Sequence, residues 1–270
     1  MALESFPPAV LVSSRFLISG TILLAFALLR GMHIPRGREL LTAGFSGVMI
    51  LGVGNGCLVW AETFVPSGIA GLIITISPFW MVGIEALMPG GERLHLPTIA
   101  GMLVGLSGAA LLLSPDLETG AMPTHLLIGF LILQLGSIAW SFGSLYQRRQ
   151  LIKAHPVIIG AVQQVAAGLA FLPPALLLPQ ASIQWSGRGV VAILYLVTFG
   201  SIVGYSAYIY SLDRLPVAIV SIYPYVNAVV AVTLGWIFYR EPFGAREAAA
   251  MAVIFLGVWL VKRFSPSARS

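Results

Sequence analysis

The sequence predicts an all-α membrane protein, a polytopic bundle of transmembrane helices with no soluble domain, and three observations carry that reading. Of the 270 residues, 58% are hydrophobic and only 9% are charged, where about 25% charged is usual for a soluble domain. Apolar blocks recur at the length of one helical span, about 20 residues, with short polar joints between them. The blocks are continuous runs of Leu, Ala, Gly, Val and Ile, whereas the strands of a transmembrane barrel alternate in polarity.

Taken in order, nine spans are expected. Ala9 to Leu29 ends at the basic joint Arg30 to Glu39, and Leu40 to Ala61 ends at Glu62. Ser67 to Leu87 follows Pro66 and precedes Glu92 and Arg93, and Thr98 to Leu113 leads into the acidic joint with Asp116 and Glu118. Leu126 to Tyr146 closes on Arg148, Arg149 and Lys153. Val157 to Leu178 and Gly189 to Leu212 flank Arg188, and Val217 to Tyr239 lies between Pro216 and Arg240-Glu241-Pro242. Ala245 to Val261 stops at Lys262 and Arg263.

Charge sets the orientation. With the joint Arg30 to Glu39 in the cytoplasm, Arg30, Arg36, Arg38, Arg93, Arg148, Arg149, Lys153, Arg214, Lys262, Arg263 and Arg269 fall inside, and Arg188, Arg240 and Arg246 outside. Eleven against three is a strong positive-inside bias, so a cytoplasmic C-terminus and an external N-terminus are expected, in a cell membrane of the bacterial inner-membrane type. The net charge of +5 is scattered over joints instead of forming one basic face, which argues against nucleic acid as a partner. Met1 to Pro8 has no basic segment followed by an apolar one, so no cleaved signal peptide is expected. Cys57 is single and lies in an apolar run, which supports neither a disulfide nor a cysteine metal site. His33, His95, His125 and His155 fall in or beside joints, and no HExxH pattern or phosphate-binding glycine loop occurs. An enzyme is therefore the weaker class, and no cofactor or metal is expected.

Sliding the chain by 150 residues lays Val53-Gly54 on Val203-Gly204 and Pro66 on Pro216. After a one-residue slip, Glu92 falls on Glu241, Ala100 on Ala249, Gly108 on Gly257 and Leu111 on Leu260. The halves are 1–120, with four spans, and 121–270, with five. Because five is odd, two such units enter the membrane in opposite senses, giving an inverted-topology repeat of the kind that secondary transporters share.

Val65-Pro66-Ser67-Gly68-Ile69-Ala70-Gly71-Leu72-Ile73, Ser77-Pro78-Phe79-Trp80 and Gly91-Glu92-Arg93-Leu94 resemble the EamA-type transporters of the drug/metabolite transporter superfamily. Ser211-Leu212-Asp213-Arg214-Leu215-Pro216, Tyr225-Val226-Asn227-Ala228, Arg240-Glu241-Pro242 and Gly257-Val258 are similar to that family's second repeat. The resemblance covers nearly the whole chain and implies ten helices in two inverted five-helix units that move small metabolites. Two departures stand out: Ala228 replaces a usual proline, and the first family helix is absent, Ala2 to Ser5 looking like its tail. The expectation is a truncated chain or a start placed too far downstream. A non-transporting or partner-dependent membrane subunit is accordingly the alternative to a carrier, with a homodimer as the partner expected to close an open groove.

Polar side chains are costly in lipid, so those inside spans face a packed interior or a watery path. Gln134, Ser137, Ser141 and Ser144 recur at steps of three, four and three and share a helix face. Asn55, Leu58 and Glu62 share another, and the repeat maps them onto Tyr205, Tyr208 and Leu212. For both faces, pathway lining and interhelical packing stay open. Pro78 lies about 16 Å into its span, near the midplane, where a proline either frees a carbonyl for a ligand or merely kinks the helix. Its counterpart Pro224 comes one turn earlier than expected and is followed by Tyr225 and Asn227, the latter a substrate contact or a helix bridge. Arg15 is expected to snorkel to the outer headgroups. Gly101, Gly105 and Gly108 form a small-residue stripe that predicts close helix packing. Trp60, Trp80, Trp140 and the tyrosines, together with amides and hydroxyls, suit a small amphipathic organic solute, amino-acid-like or drug-like, better than a bare ion.

Overall fold

The computed structural model describes residues 5–65, 67–91, 95–112, 124–150, 152–177, 186–239 and 244–264. Among them the protein is all helix, without strands. The elements are α1 (Pro8–Leu29), α2 (Arg38–Ala61), α3 (Ser67–Ile74), α4 (Ser77–Leu87), α5 (Leu96–Leu112), α6 (Thr124–Arg148) and α7 (Pro156–Leu177). They continue with α8 (Gly187–Arg214), α9 (Val217–Ser221), α10 (Tyr223–Tyr239) and α11 (Ala245–Phe264). Among the described residues each expected span falls on helix, two of them with an interruption. By length and composition α1, α2, α7, α8 and the stretch Leu127–Arg148 are able to cross a membrane, and Leu96–Leu111 and Val217–Val230 are shorter apolar helices.

Local chemistry explains the ends. Pro8 opens α1, where its missing N–H costs nothing. The helix closes as a Schellman turn: Gly31 takes φ 62°, its N–H reaches Leu28 O at 3.0 Å, and Met32 N reaches Ala27 O at 2.9 Å. Ser186 caps α8, its hydroxyl accepting from Gly189 N at 3.0 Å.

Two expected spans are interrupted. Ser67 to Leu87 is split into α3 and α4 at Thr75-Ile76, directly before Pro78. Val217 to Tyr239 is split into α9 and α10 at Ile222, directly before Pro224. At both breaks the backbone tightens to i→i+3 bonds, Phe79 N to Ile76 O at 3.0 Å and Tyr225 N to Ile222 O at 3.1 Å. Two other spans depart in the opposite sense, being locally underwound. Val48–Asn55 within α2 and Leu196–Tyr205 within α8 are π-helix.

The chain forms two compact units, neither of which follows the linear boundary at 120/121. One unit holds α1, α2, the end of α6 from Phe142, α7 and α8. In it α1 packs along α7, and α7 also meets α2 and α8. The other holds α3, α4, α5, α6 up to Ser141, α9, α10 and α11. There α5 and α11 pack along their lengths around Met102, Tyr225, Ile254 and Val261, all buried. The glycine stripe does what its sequence predicts. A Cβ added at Gly101 would meet Val261 N at 2.9 Å, and one at Gly108 would meet Ile254 N at 2.8 Å. Pro66, Glu92 and Glu241, landmarks of the repeat, lie outside the described residues, as do Arg93, Arg240 and Arg269.

Candidate functional site

In the unit built on α7, polar groups converge on Gln163, which is fully buried. Its Nε2 donates to Ser46 Oγ at 2.9 Å and to Gln147 Oε1, and its Oε1 accepts from the Tyr205 hydroxyl at 2.8 Å. Four helices, α2, α6, α7 and α8, each supply one member. Ser144 Oγ and the Tyr208 hydroxyl lie 2.8 Å apart, and the Tyr205 and Tyr208 rings stack at 6.1 Å. In a medium without water an amide is stable only when its donors and acceptor are taken up internally, and this cluster does that.

Arg15 has a polar partner within its own unit. Its Nε donates to Ser201 Oγ at 2.7 Å, on the π-helical part of α8, and its guanidinium lies 5.0 Å from the centre of the Phe16 ring. On α2, Asn55 and Leu58 are half-buried, and Asn55 Oδ1 is buried without a protein partner. Glu62, one residue past α2, is half-buried, and burial pushes its carboxyl above its ordinary value. Trp60 is exposed.

The second unit carries the other half of the expected face. Gln134, Ser137 and Ser141 are buried on α6, as the spacing predicts. Trp80 on α4 donates from Nε1 to Gln134 Oε1 at 2.6 Å, while Gln134 Nε2 and Ser77 Oγ are buried without a protein partner. Pro78 is buried at the start of α4, just after the interruption. Trp140 stacks on Tyr223 at 6.0 Å and 28°. Tyr225 is fully buried, and its hydroxyl donates to Met102 O at 2.9 Å. Asn227 is exposed on α10. The structure thus brings Trp80 together with Gln134 and Tyr205 with Tyr208, and commits the Tyr225 hydroxyl to the backbone of its own unit. Among the described residues no three His, Cys, Asp or Glu side chains gather where a metal ion would fit.

Three members of the buried network, Ser46, Gln147 and Gln163, were not among the expected site residues. Gln147 continues the α6 face one step of three beyond Ser144, a visible signal. Gln163 and Gln164 form an adjacent amide pair inside an apolar run, which in lipid implies partners. Gln164 indeed accepts from the Ser19 hydroxyl.

A membrane-embedded helical chain with amide and aromatic clusters inside apolar helices is the architecture of a small-solute carrier. The chain matches the EamA-like transporter family over residues 1–114 and 127–263 and belongs to it. Members of that family are transporters and not enzymes. The chain is 35% identical over 263 residues to the uncharacterized inner membrane transporter YedA of Escherichia coli strain K12, covering 97% of this chain and 83% of that one. It is 26% identical over 266 residues to a probable terminal-alkyne amino-acid exporter of Streptantibioticus cattleyicolor, covering 97% and 86%. It is 28% identical over 161 residues to the aromatic amino acid exporter YddG of Ancylobacter novellus, covering 60% and 56%. A solved crystal structure superposes with a TM-score of 0.79 over 98% of this chain and 91% of the other at 22% identity, a likeness of fold.

Proposed function

We propose that this transporter moves a small amino-acid-like or drug-like organic solute across a bacterial inner membrane by alternating access, with export as the favoured direction. The observation that carries this is the presence, among the described residues, of buried polar atoms left without protein partners inside apolar helices, including Asn55 Oδ1, Ser77 Oγ, Thr98 Oγ1, Gln134 Nε2, Gln164 Nε2 and Ser206 Oγ. Burying such a group unpaired costs about 1–3 kcal/mol, so the groups are kept for something that pairs with them. Relatives named as amino-acid exporters support this solute class and direction.

The mechanism rests on the inverted repeat 1–120 and 121–270 of a polytopic helical fold. In favour of the repeat, the π-helical stretches end at Asn55 and Tyr205, the positions that a 150-residue shift superposes. Also in favour, the interruptions at Thr75-Ile76 and Ile222 fall on repeat-related spans, the second one turn early. Discontinuous helices in corresponding places are where transporters of this kind hold substrate.

The test is thiol access. With Cys57 replaced, single cysteines at Asn55, Leu58, Gln134, Ser141, Tyr205 and Tyr208 are expected to include several that react with a small water-soluble thiol reagent, while lipid-facing positions stay silent. If all six are inert while joint positions react, the pathway lies elsewhere. A separate expectation concerns orientation. A reporter active only in the cytoplasm should work when fused after Ser270 and after Lys153 and stay silent after Thr119, and the reverse pattern would invert the topology.

A further inference from the structure

Trp80 and Gln134 settle a question that an isolated glutamine leaves open. The indole N–H is a donor and never an acceptor, so the Gln134 atom facing it at 2.6 Å is the carbonyl oxygen Oε1. The amide NH₂ must then point the other way. Gln134 is 9% exposed and its Nε2 has no protein partner, so Trp80 holds two N–H donors aimed at a buried point that offers them no protein acceptor. Ser77 stands one turn before Trp80 on the same face of α4, about 4.5 Å along the axis. It is 6% exposed, and its hydroxyl is likewise without a protein partner. Both donors belong to one unit, and Ser77 opens the eleven-residue α4, where the helix dipole is positive. Hydroxyl, amide N–H and helix start share one preference, an acceptor that carries negative charge.

We propose that Gln134 Nε2 and Ser77 Oγ bind the carboxylate of the transported solute, with Trp80 as the positioning residue that fixes the amide. The proposal rests on the transport reading above and narrows it to carboxylate-bearing solutes. Ser137 lies buried one turn along α6 from Gln134, in the same unit.

The experiment uses the full chain in proteoliposomes and measures counterflow of labelled L-phenylalanine in competition with unlabelled L-phenylalanine, L-phenylalaninamide and 2-phenylethylamine. In the wild type, L-phenylalanine should compete about tenfold or more better than the two probes without a carboxylate, the range expected for hydrogen bonds to a charged group. Gln134→Glu keeps the acceptor for Trp80 and replaces the donors by negative charge. It should lose the L-phenylalanine preference and let 2-phenylethylamine compete at least as well. Trp80→Phe leaves Gln134 in place but frees its amide, and should weaken L-phenylalanine several-fold with a smaller effect on 2-phenylethylamine. Each variant is first shown to elute as a single species, so a loss is not one of folding. Equal competition by all three probes in the wild type, or an unchanged preference in Gln134→Glu, overturns the carboxylate assignment while transport itself stands. Absence of counterflow with every probe in the wild type overturns both the assignment and the amino-acid-like reading.

Discussion

Replacing Gly257 by leucine is expected to abolish the folded protein. Gly257 on α11 crosses α5 where both chains are glycine, and a Cβ added there would fall on Gly105 N, 2.7 Å from Gly105 Cα and 2.8 Å from Gly101 O. The obstructing atoms are backbone, so no side chain can turn aside to make room. Overpacking that side chains can absorb already costs about 1–3 kcal/mol, and between helices in lipid close packing is itself the main source of association. Gly257→Leu should therefore leave no monodisperse peak in detergent size-exclusion chromatography, and Gly257→Ala should lower the melting temperature by several degrees. Gly83→Ala is the comparison, since nothing lies within 4 Å of a Cβ at that position. A Gly257→Leu protein that elutes and melts like the wild type would refute the glycine crossing.

The second large effect is expected at Gln163. Leucine there keeps the bulk but removes both amide atoms, leaving Ser46, Gln147 and Tyr205 each short of a partner that Gln163 now supplies. α2 packs directly against this position, because Gly47 lets it approach α7 until a Cβ would stand 2.6 Å from Gln163 O. Interhelical hydrogen bonds in membranes average about 0.6 kcal/mol when measured singly. Three lost together, with buried groups left unsatisfied, should cost about 2–4 kcal/mol and lower the melting temperature markedly. A Gln163→Leu variant with unchanged melting would mean that the cluster carries no stability.

The helices were legible because lipid demands about 20 apolar residues for each crossing, and charged joints mark the ends. The glycine stripe at Gly101, Gly105 and Gly108 was legible because small residues at helical spacing have one ready use in a bilayer. The α6 face was legible as a face, and Gln134, Ser137, Ser141 and Ser144 are all buried. Which partner each finds was not, because Trp80 lies 54 residues from Gln134 and Tyr205 lies 42 from Gln163, distances that only the tertiary fold closes. Pro78 and Pro224 marked their interruptions but left open how far the helix would part. The π-helical stretches have no residue signature at all, since an i→i+5 bond asks nothing of the side chain.

Those two stretches bear on how the length of this chain can vary. A π turn accommodates one more residue than an α turn without ending the helix. A single codon lost within Val48–Asn55 would let the backbone close up as ordinary α-helix and swing the preceding turns, with Ser46, by about 100° relative to Asn55. A codon lost within Leu196–Tyr205 would do the same to Tyr195 relative to Tyr208. In most of a membrane helix an indel is a lesion, but at these two places it acts as a dial: the helix survives, and a different set of side chains is presented to its neighbours.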